Sequence, residues 1–495
     1  MGVMRFLIEP ESLLTDSPEL FRAYFSHAEL GVFPTRVERS GNVLVCSKDS
    51  PESARLHVSW EVPGFGRPLL MTSSLLEQQE PYVLALELAR GKVVHVRNQL
   101  SVWESAGLKT SEKFQVAYQR AHRHLGKACA LQKDLPACIR DSQAALEAIC
   151  EAAELLAEEQ SERDLQTRCE KYGHLQRLMG VQIGEAFEQF ADERLVKTFN
   201  TIAVPIGWRQ IEPVEGEYRW EALDRQLDWC LQSKLIPRGG PLLDFGSQRL
   251  PEWLWKWERD PWNLQSFVCD FVETALRRYL GRIRMWEVCS HANSGGALTL
   301  TEEQRLGITA KAFEIARHVD EEAQLFLRID QPWGEYMARG MHRLSPLQFA
   351  DALHRSGLGL GGINLEIAIG YQPSGTFSRD PLDFSRMIDE WSRLGLPLHI
   401  TLAFPTSEEQ DDLAAPDLEV TRPSWKQGWS EQAQADWIDL FVPVLLSKSA
   451  VMGIFWSHLS DGTPHLYPHA GLLNAAHQPK QSYLRLLEQG ERCLG

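Results

Sequence analysis

A chain of 495 residues is long enough for two or three domains and at least one large core, and its 67 acidic and 51 basic side chains leave a formal net charge of -16. That acidic balance argues against a nucleic-acid or anionic-membrane partner, since either calls for a basic surface. No apolar run is long enough to span a bilayer, and Met1–Pro10 has too short an apolar core for a signal peptide. The nine cysteines are scattered and contain no Cys-x-x-Cys pair, so reduced thiols and a cytoplasmic setting are expected. Sixteen tryptophans are a high number. Indole fills cores, and it is also the usual stacking platform for sugar rings.

The first 105 residues read as β-rich. Strands are expected at Met4–Ile8, Asn42–Cys46, Arg55–Val62, Tyr82–Leu88 and Val93–Val96, with turns at Pro63-Gly-Phe-Gly66 and Arg90-Gly91. A small sandwich resembling a carbohydrate-binding module fits this pattern, and so does a plain packing domain. From 106 to 174 the periodicity changes. Phe114, Tyr118, Ala121, Leu125 and Ala128 recur at helical steps, as do Ile139, Leu146, Ile149 and Leu156. Lys133-Asp-Leu-Pro136 separates the two stripes, which predicts an antiparallel helix pair serving as a linker.

From 175 to 495 strand and helix signals alternate. Strands are expected at Leu178–Ile183, Lys197–Val204, Leu235–Leu243, Arg282–Val288, Gln324–Ile329, Gly362–Ile367, Pro397–Ala403 and Val451–Trp456. Amphipathic stretches such as Trp220–Gln232, Asn263–Tyr279 and Glu302–His318 lie between them. Eight such units fit an α/β fold of the (β/α)8 TIM-barrel type, with a doubly wound sheet as the competing answer.

Several motifs favour the barrel. The stretch Arg282-Ile-Arg-Met-Trp-Glu-Val-Cys-Ser-His-Ala-Asn293 resembles the fourth barrel strand of family-10 glycoside hydrolases, the xylanase-type enzymes. Trp208-Arg-Gln-Ile-Glu-Pro213 with Gly216-Glu-Tyr-Arg-Trp220 resembles the segment after the second strand in the same clan. Arg238-Gly239 with Leu250-Pro-Glu-Trp253 is similar to the third strand and its loop, and Gly453-Ile-Phe-Trp456 to the eighth. Asp461-Gly-Thr-Pro464 and Gln478-Pro-Lys480 with Tyr483 resemble the family's ending. The resemblance implies a barrel over about 175–490 and a carbohydrate ligand, with no cofactor and no metal.

It also implies where the usual chemistry is missing. The family's acid/base glutamate falls on His291, and its nucleophile, in a His-Ile-Thr-Glu strand, falls on Leu402 of His399-Ile-Thr-Leu402. A retaining glycosidase needs two carboxyl groups about 5–5.5 Å apart. Replacement carboxylates are available at strand ends, where such barrels hold their sites. Asp330 ends the fifth strand in Arg328-Ile-Asp-Gln-Pro-Trp-Gly-Glu-Tyr336, and Glu366 lies in the sixth, where the family usually has glutamine. Glu366, Asp330 and His291 are therefore the candidate catalytic residues, His291 as an acid with an ordinary pKa near 6.5. Candidate substrate-binding residues are Trp456, Trp333, Arg328, Glu335, Asp244 and Trp208. Each has a plainer reading beside the functional one. Glu366 is equally suited to pairing with Arg328, Asp330 to capping a loop, His291 to hydrogen bonding in a pocket, and the tryptophans to core. Asp461, His465 and His469 have a loose metal-like spacing, but loop histidines at that spacing are weak ligands and no metal is expected.

Three functions remain open on these grounds. The leading one is a glycoside hydrolase-like protein for a β-linked glycan or glycoside, with relocated carboxylates. The others are a non-catalytic glycan-binding barrel and a protein-interaction scaffold. The partner expected is an oligosaccharide or glycoside.

Overall fold

The computed structural model describes residues 2–27, 31–184, 186–189 and 193–494, with side chains up to residue 491. The N-terminal part holds two four-stranded sheets. One orders Arg36–Ser40, Val43–Lys48, Gly2–Leu7 and Tyr82–Val83, and the other Val32–Phe33, Tyr24–Ser26, Arg55–Ser59 and Leu69–Met71. Alternation drives the pairing: Met4 and Phe6 point inward while Arg5 faces solvent. Met4, Phe6, Phe25, Leu44, Leu56 and Val58 share one apolar core. Gly41, at φ 62°, makes the two-residue turn that joins Arg36–Ser40 to Val43–Lys48.

The β-rich segment ends at Val83, earlier than expected. Residues Leu84–Ser105 form a helix, so the strand expected at Val93–Val96 is absent and the one at Tyr82–Leu88 is cut to its first two residues. Leu84, Leu88, Lys92, Val96, Leu100 and Trp103 are buried at three- and four-residue steps, and this longer period outweighs the short apolar runs. Arg90-Gly91 is helix interior rather than a turn. A Cβ on Gly91 would lie 2.1 Å from the Met71 carbonyl oxygen, so glycine here lets the helix press against the strand Leu69–Met71. Two further helices follow, Glu112–Ala130 and Leu135–Tyr172, capped by the Ser111 and Asp134 side chains. The expected pair is thus a trio, and its apolar faces meet in a common core.

Eight parallel strands close into a barrel: Leu178–Gln182, Thr201–Val204, Ile236–Gly239, Met285–Ser290, Gln324–Asp330, Leu360–Ala368, Leu398–Ala403 and Val451–Trp456. Closure is direct, with Gly453 opposite Leu178 and Trp456 opposite Val181. The third strand stops at Gly239, and a short strand, Leu243–Asp244, then runs beside the end of the fourth. The expected strand Leu235–Leu243 is therefore interrupted. The barrel interior is filled by side chains. Arg238 lies 3.4 Å from the centre of the Phe455 ring, and His399 stacks on Phe326 at 4.1 Å.

The N-terminal domain rests on the rim at the C-terminal ends of strands five to seven. Backbone hydrogen bonds join Thr35 to Ala338, Leu69 to Ser378 and Arg67 to Ser424. A buried ion pair, Lys92 with Asp380, fastens helix Leu84–Ser105 to helix Pro381–Ser392. No helix among the described residues is long and apolar enough to cross a membrane.

Candidate active site

The site grows from charges placed on interior positions of strands four to six. Glu287, on the fourth strand, is buried between two guanidinium groups, Arg238 at 3.5 Å and Arg328 at 2.5 Å. It also accepts a hydrogen bond from the Asn364 amide, which in turn pairs with Thr401 at 2.9 Å. Burial works against charging Glu287, but the two arginines outweigh it and hold its carboxyl below the ordinary range. Arg328 reaches onward to Glu366 at 2.8 Å, and the Tyr467 hydroxyl donates to the other oxygen of Glu366. Burial and the neighbouring Glu366 raise the Tyr467 hydroxyl well above its usual value, so it acts as a donor.

His291 stands at the mouth with a left-handed backbone, φ 53°. Its Nδ1 lies 2.8 Å from Asp244 and 2.9 Å from the Ser290 hydroxyl, while its Nε2 is 3.8 Å from Glu366. Burial opposes the imidazolium, but Asp244, Asp330 and Glu366 outweigh it and push the ring up to about 10. The surrounding carboxylates thus favour the imidazolium over the neutral ring that an ordinary pKa near 6.5 would leave at neutral pH. Asp244 is the reciprocal case. Despite burial, His291, Arg249 and the Gly246 N–H hold its carboxyl well below the usual range. Asp330 is directly opposite Glu366 on the neighbouring strand. Its carboxylate oxygens are buried with no hydrogen-bond partner of good geometry among the described residues. Burial pushes its carboxyl up, against the pull of His291.

This arrangement predicts a pH signature in stability. A histidine raised from about 6.5 in the unfolded chain to about 10 when folded contributes stability that is fully present below the lower value. The contribution is lost as pH rises through the higher one. The midpoint of urea unfolding is expected to fall between pH 7 and 10 in the wild type, and to fall less steeply in His291→Gln. Parallel profiles would show that His291 is not the cation described.

Of the residues expected at the site, Glu366, Asp330, His291, Asp244 and Arg328 converge there. The tryptophans do not. Trp456 is buried with its indole N–H donating to the Ala470 carbonyl at 2.6 Å, which leaves no open face for a sugar. Trp208 is core, stacked on Phe271 at 4.7 Å and bonded to Glu212 at 2.7 Å. Trp333 packs on Phe384 under the Arg379 guanidinium and lines a small cavity between the two domains. Glu335 lies apart from the barrel interior, in a cleft on the rim. Glu287, Arg238, Asn364 and Tyr467 were not singled out as site residues. A glutamate and an arginine inside predicted buried strands were the available signal, because such charges require partners.

Around Asp461, His458 lies at 3.0 Å, and His465 pairs with Asp411 at 3.0 Å rather than with Asp461. His458, Asp461 and His465 are close enough together for a metal ion, but Lys480 already donates to Asp461 at 2.6 Å. A cation therefore occupies that carboxylate. The buried cysteines Cys46, Cys138, Cys150, Cys230 and Cys289 are free thiols.

Comparison with known proteins follows the same lines. The model of the family described as "Glycosyl hydrolase family 10" matches residues 170–489. "Endo-1,4-beta-xylanase B" of Thermotoga neapolitana is 24% identical over 200 residues, 39% of this chain and 54% of that protein. "Endo-1,4-beta-xylanase B" of Neocallimastix patriciarum is 23% identical over 201 residues, 39% of this chain and 22% of that one. The match thus spans about half the length of the first relative and less of the second. Native xylanase 10B from Thermotoga maritima is similar in structure, at 18% identity and a TM-score of 0.48, covering 67% of this chain and 98% of that one. With the family model matching well over half of its length, the chain belongs to glycosyl hydrolase family 10.

Proposed function

We propose that the protein is a glycoside hydrolase for a β-linked glycan or glycoside, working through a non-standard pair, Glu366 and Asp330. The observation that carries this reading is their placement. They are direct partners on adjacent parallel strands, and both act electrostatically on His291, whose Nε2 lies 3.8 Å from Glu366. Adjacent strands lie about 4.8 Å apart, close to the carboxyl separation of a retaining glycosidase. Their surroundings divide the labour. Asp330 is pushed up by burial and suits the acid that protonates the leaving oxygen. Glu366 is oriented by Arg328 and Tyr467 and suits the nucleophile that attacks the anomeric carbon. Water then attacks the glycosyl ester while Asp330 takes its proton, and Glu366 is released. The positive His291 steadies the Asp330 carboxylate formed in the first step. The xylanase names of the relatives make xylo-oligosaccharides the first substrates to try.

A second reading has its own support. Glu366 is 2% exposed, and both of its oxygens are engaged. A barrel that binds glycan without cleaving it would look the same. A hydrolysis screen with aryl glycosides and xylo- and gluco-oligosaccharides separates the two. Turnover by the wild type is expected, falling about a hundredfold or more in Glu366→Gln and in Asp330→Asn. Turnover unchanged in both variants would overturn the assignment of the pair. Saturable binding without turnover would favour the second reading.

A further inference from the structure

We propose that the cleft between the N-terminal domain and the barrel rim is a saccharide subsite, and that the N-terminal domain supplies one of its walls. The inference rests on the glycan reading above and extends it to residues outside the barrel. The cleft has a volume of about 670 Å³, within the range of small-molecule sites. Its barrel wall carries Gln331, Glu335 and Gln372, and its opposite wall carries Arg22 and Tyr24 of the N-terminal domain. Gln331 directly follows Asp330 at the end of the fifth strand, so one wall of the cleft is continuous in sequence with the carboxylate pair.

The polar groups in this cleft are prepared for a ligand. Glu335 is 7% exposed. Its Oε1 accepts hydrogen bonds from Thr376 at 2.5 Å and Arg379 at 2.9 Å, while its Oε2 is buried with no partner among the described residues. A buried carboxylate oxygen left without a donor is unfavourable, and a ligand hydroxyl removes that cost. Arg379 also donates to the Tyr24 hydroxyl at 3.1 Å, so one guanidinium fastens both walls. Arg22 lies over the Phe377 ring, 4.4 Å from its centre, so its guanidinium covers that face of the ring while bordering the cleft. Arg339, Asp417 and Glu419 also line the cleft, so its charges are mixed in sign. Donors, one unpaired acceptor and charges of both signs suit the hydroxyls of a neutral sugar. A phosphate or a uronic acid would meet Asp417 and Glu419 as well as Arg22 and Arg339.

Calorimetric titration with β-1,4-xylo-oligosaccharides of two to six units tests the subsite. The wild type is compared with Arg22→Ala and Gln372→Ala, one from each wall, after checking that each variant melts as the wild type does. Each substitution is expected to weaken xylohexaose binding about tenfold, as for loss of one charge-assisted or well-placed hydrogen bond, with a smaller loss for xylobiose. Xylohexaose binding equal to the wild type in both variants would overturn the subsite, whether or not the enzyme hydrolyses it. Binding that depends on Arg22 and Gln372 without hydrolysis would keep the subsite and sink the catalytic pair. A wild type that binds none of these oligosaccharides would sink both.

Discussion

Replacement of Arg328 by methionine is expected to cost about 3–5 kcal/mol of stability, because it leaves two buried carboxylates without their shared counter-charge. Arg328 bridges Glu287 at 2.5 Å and Glu366 at 2.8 Å, and both glutamates are almost wholly buried. Arg238 remains at 3.5 Å from Glu287, but it is already held below its ordinary value, to about 10, by burial that Glu287 only partly offsets. It cannot replace the lost bonds. The comparison that isolates the cause is Arg328→Met against Arg328→Met with Glu287→Gln. The second substitution removes one stranded charge and is expected to restore part of the loss. Unfolding in urea at pH 7 checks both. A single-variant loss under 1 kcal/mol would mean that the network is solvated and contributes little.

Lys92→Met is expected to cost about 3 kcal/mol, and its effect falls on the seam between the two domains. Lys92 is buried against Asp380, with Asp383 at 3.9 Å and His95 beside them. The surrounding acids raise its ammonium well above the ordinary value in spite of burial. Without it, Asp380 keeps, among the described residues, the backbone N–H groups of Leu382 and Asp383, which it caps at 3.0 and 3.1 Å. Those two bonds place the loss at the lower end of the range for a broken buried pair. Scanning calorimetry is expected to show an earlier transition for the N-terminal part, and Lys92→Met with Asp383→Asn should recover some of it. A trace that coincides with the wild type would show that the seam is held by other contacts.

The barrel was legible because each strand is a short apolar run set between longer amphipathic stretches, so two periods mark two kinds of element. Gln324–Asp330 and Val451–Trp456 fall where the pattern puts them. The N-terminal misreading had a specific source. Val93 and Val96 are β-branched and close together, yet Leu100 and Trp103 continue the same stripe at helical spacing. Gly91 looked like a turn because its role, close approach to the Met71 carbonyl, depends on a strand distant in sequence. At the site, the residue types were visible but their pairings were not. Arg328 and Glu366 were matched from sequence, whereas Tyr467 reaches Glu366 from a loop about a hundred residues later. The charge on His291 is set by three acids from three different strands or their ends, which no local pattern encodes.

The docking of the N-terminal domain on Ala338, Ser378 and Ser424 has a consequence for how this molecule diversifies. In (β/α)8 enzymes the loops at the C-terminal ends of the strands are where new specificities arise, since their lengths change without disturbing the sheet. Here three of those loops each hold a backbone partner in another domain. An insertion in any of them would have to carry its docked neighbour along. Innovation on this half of the rim is thereby transferred to the N-terminal domain, whose own Arg22 and Tyr24 can be exchanged one side chain at a time.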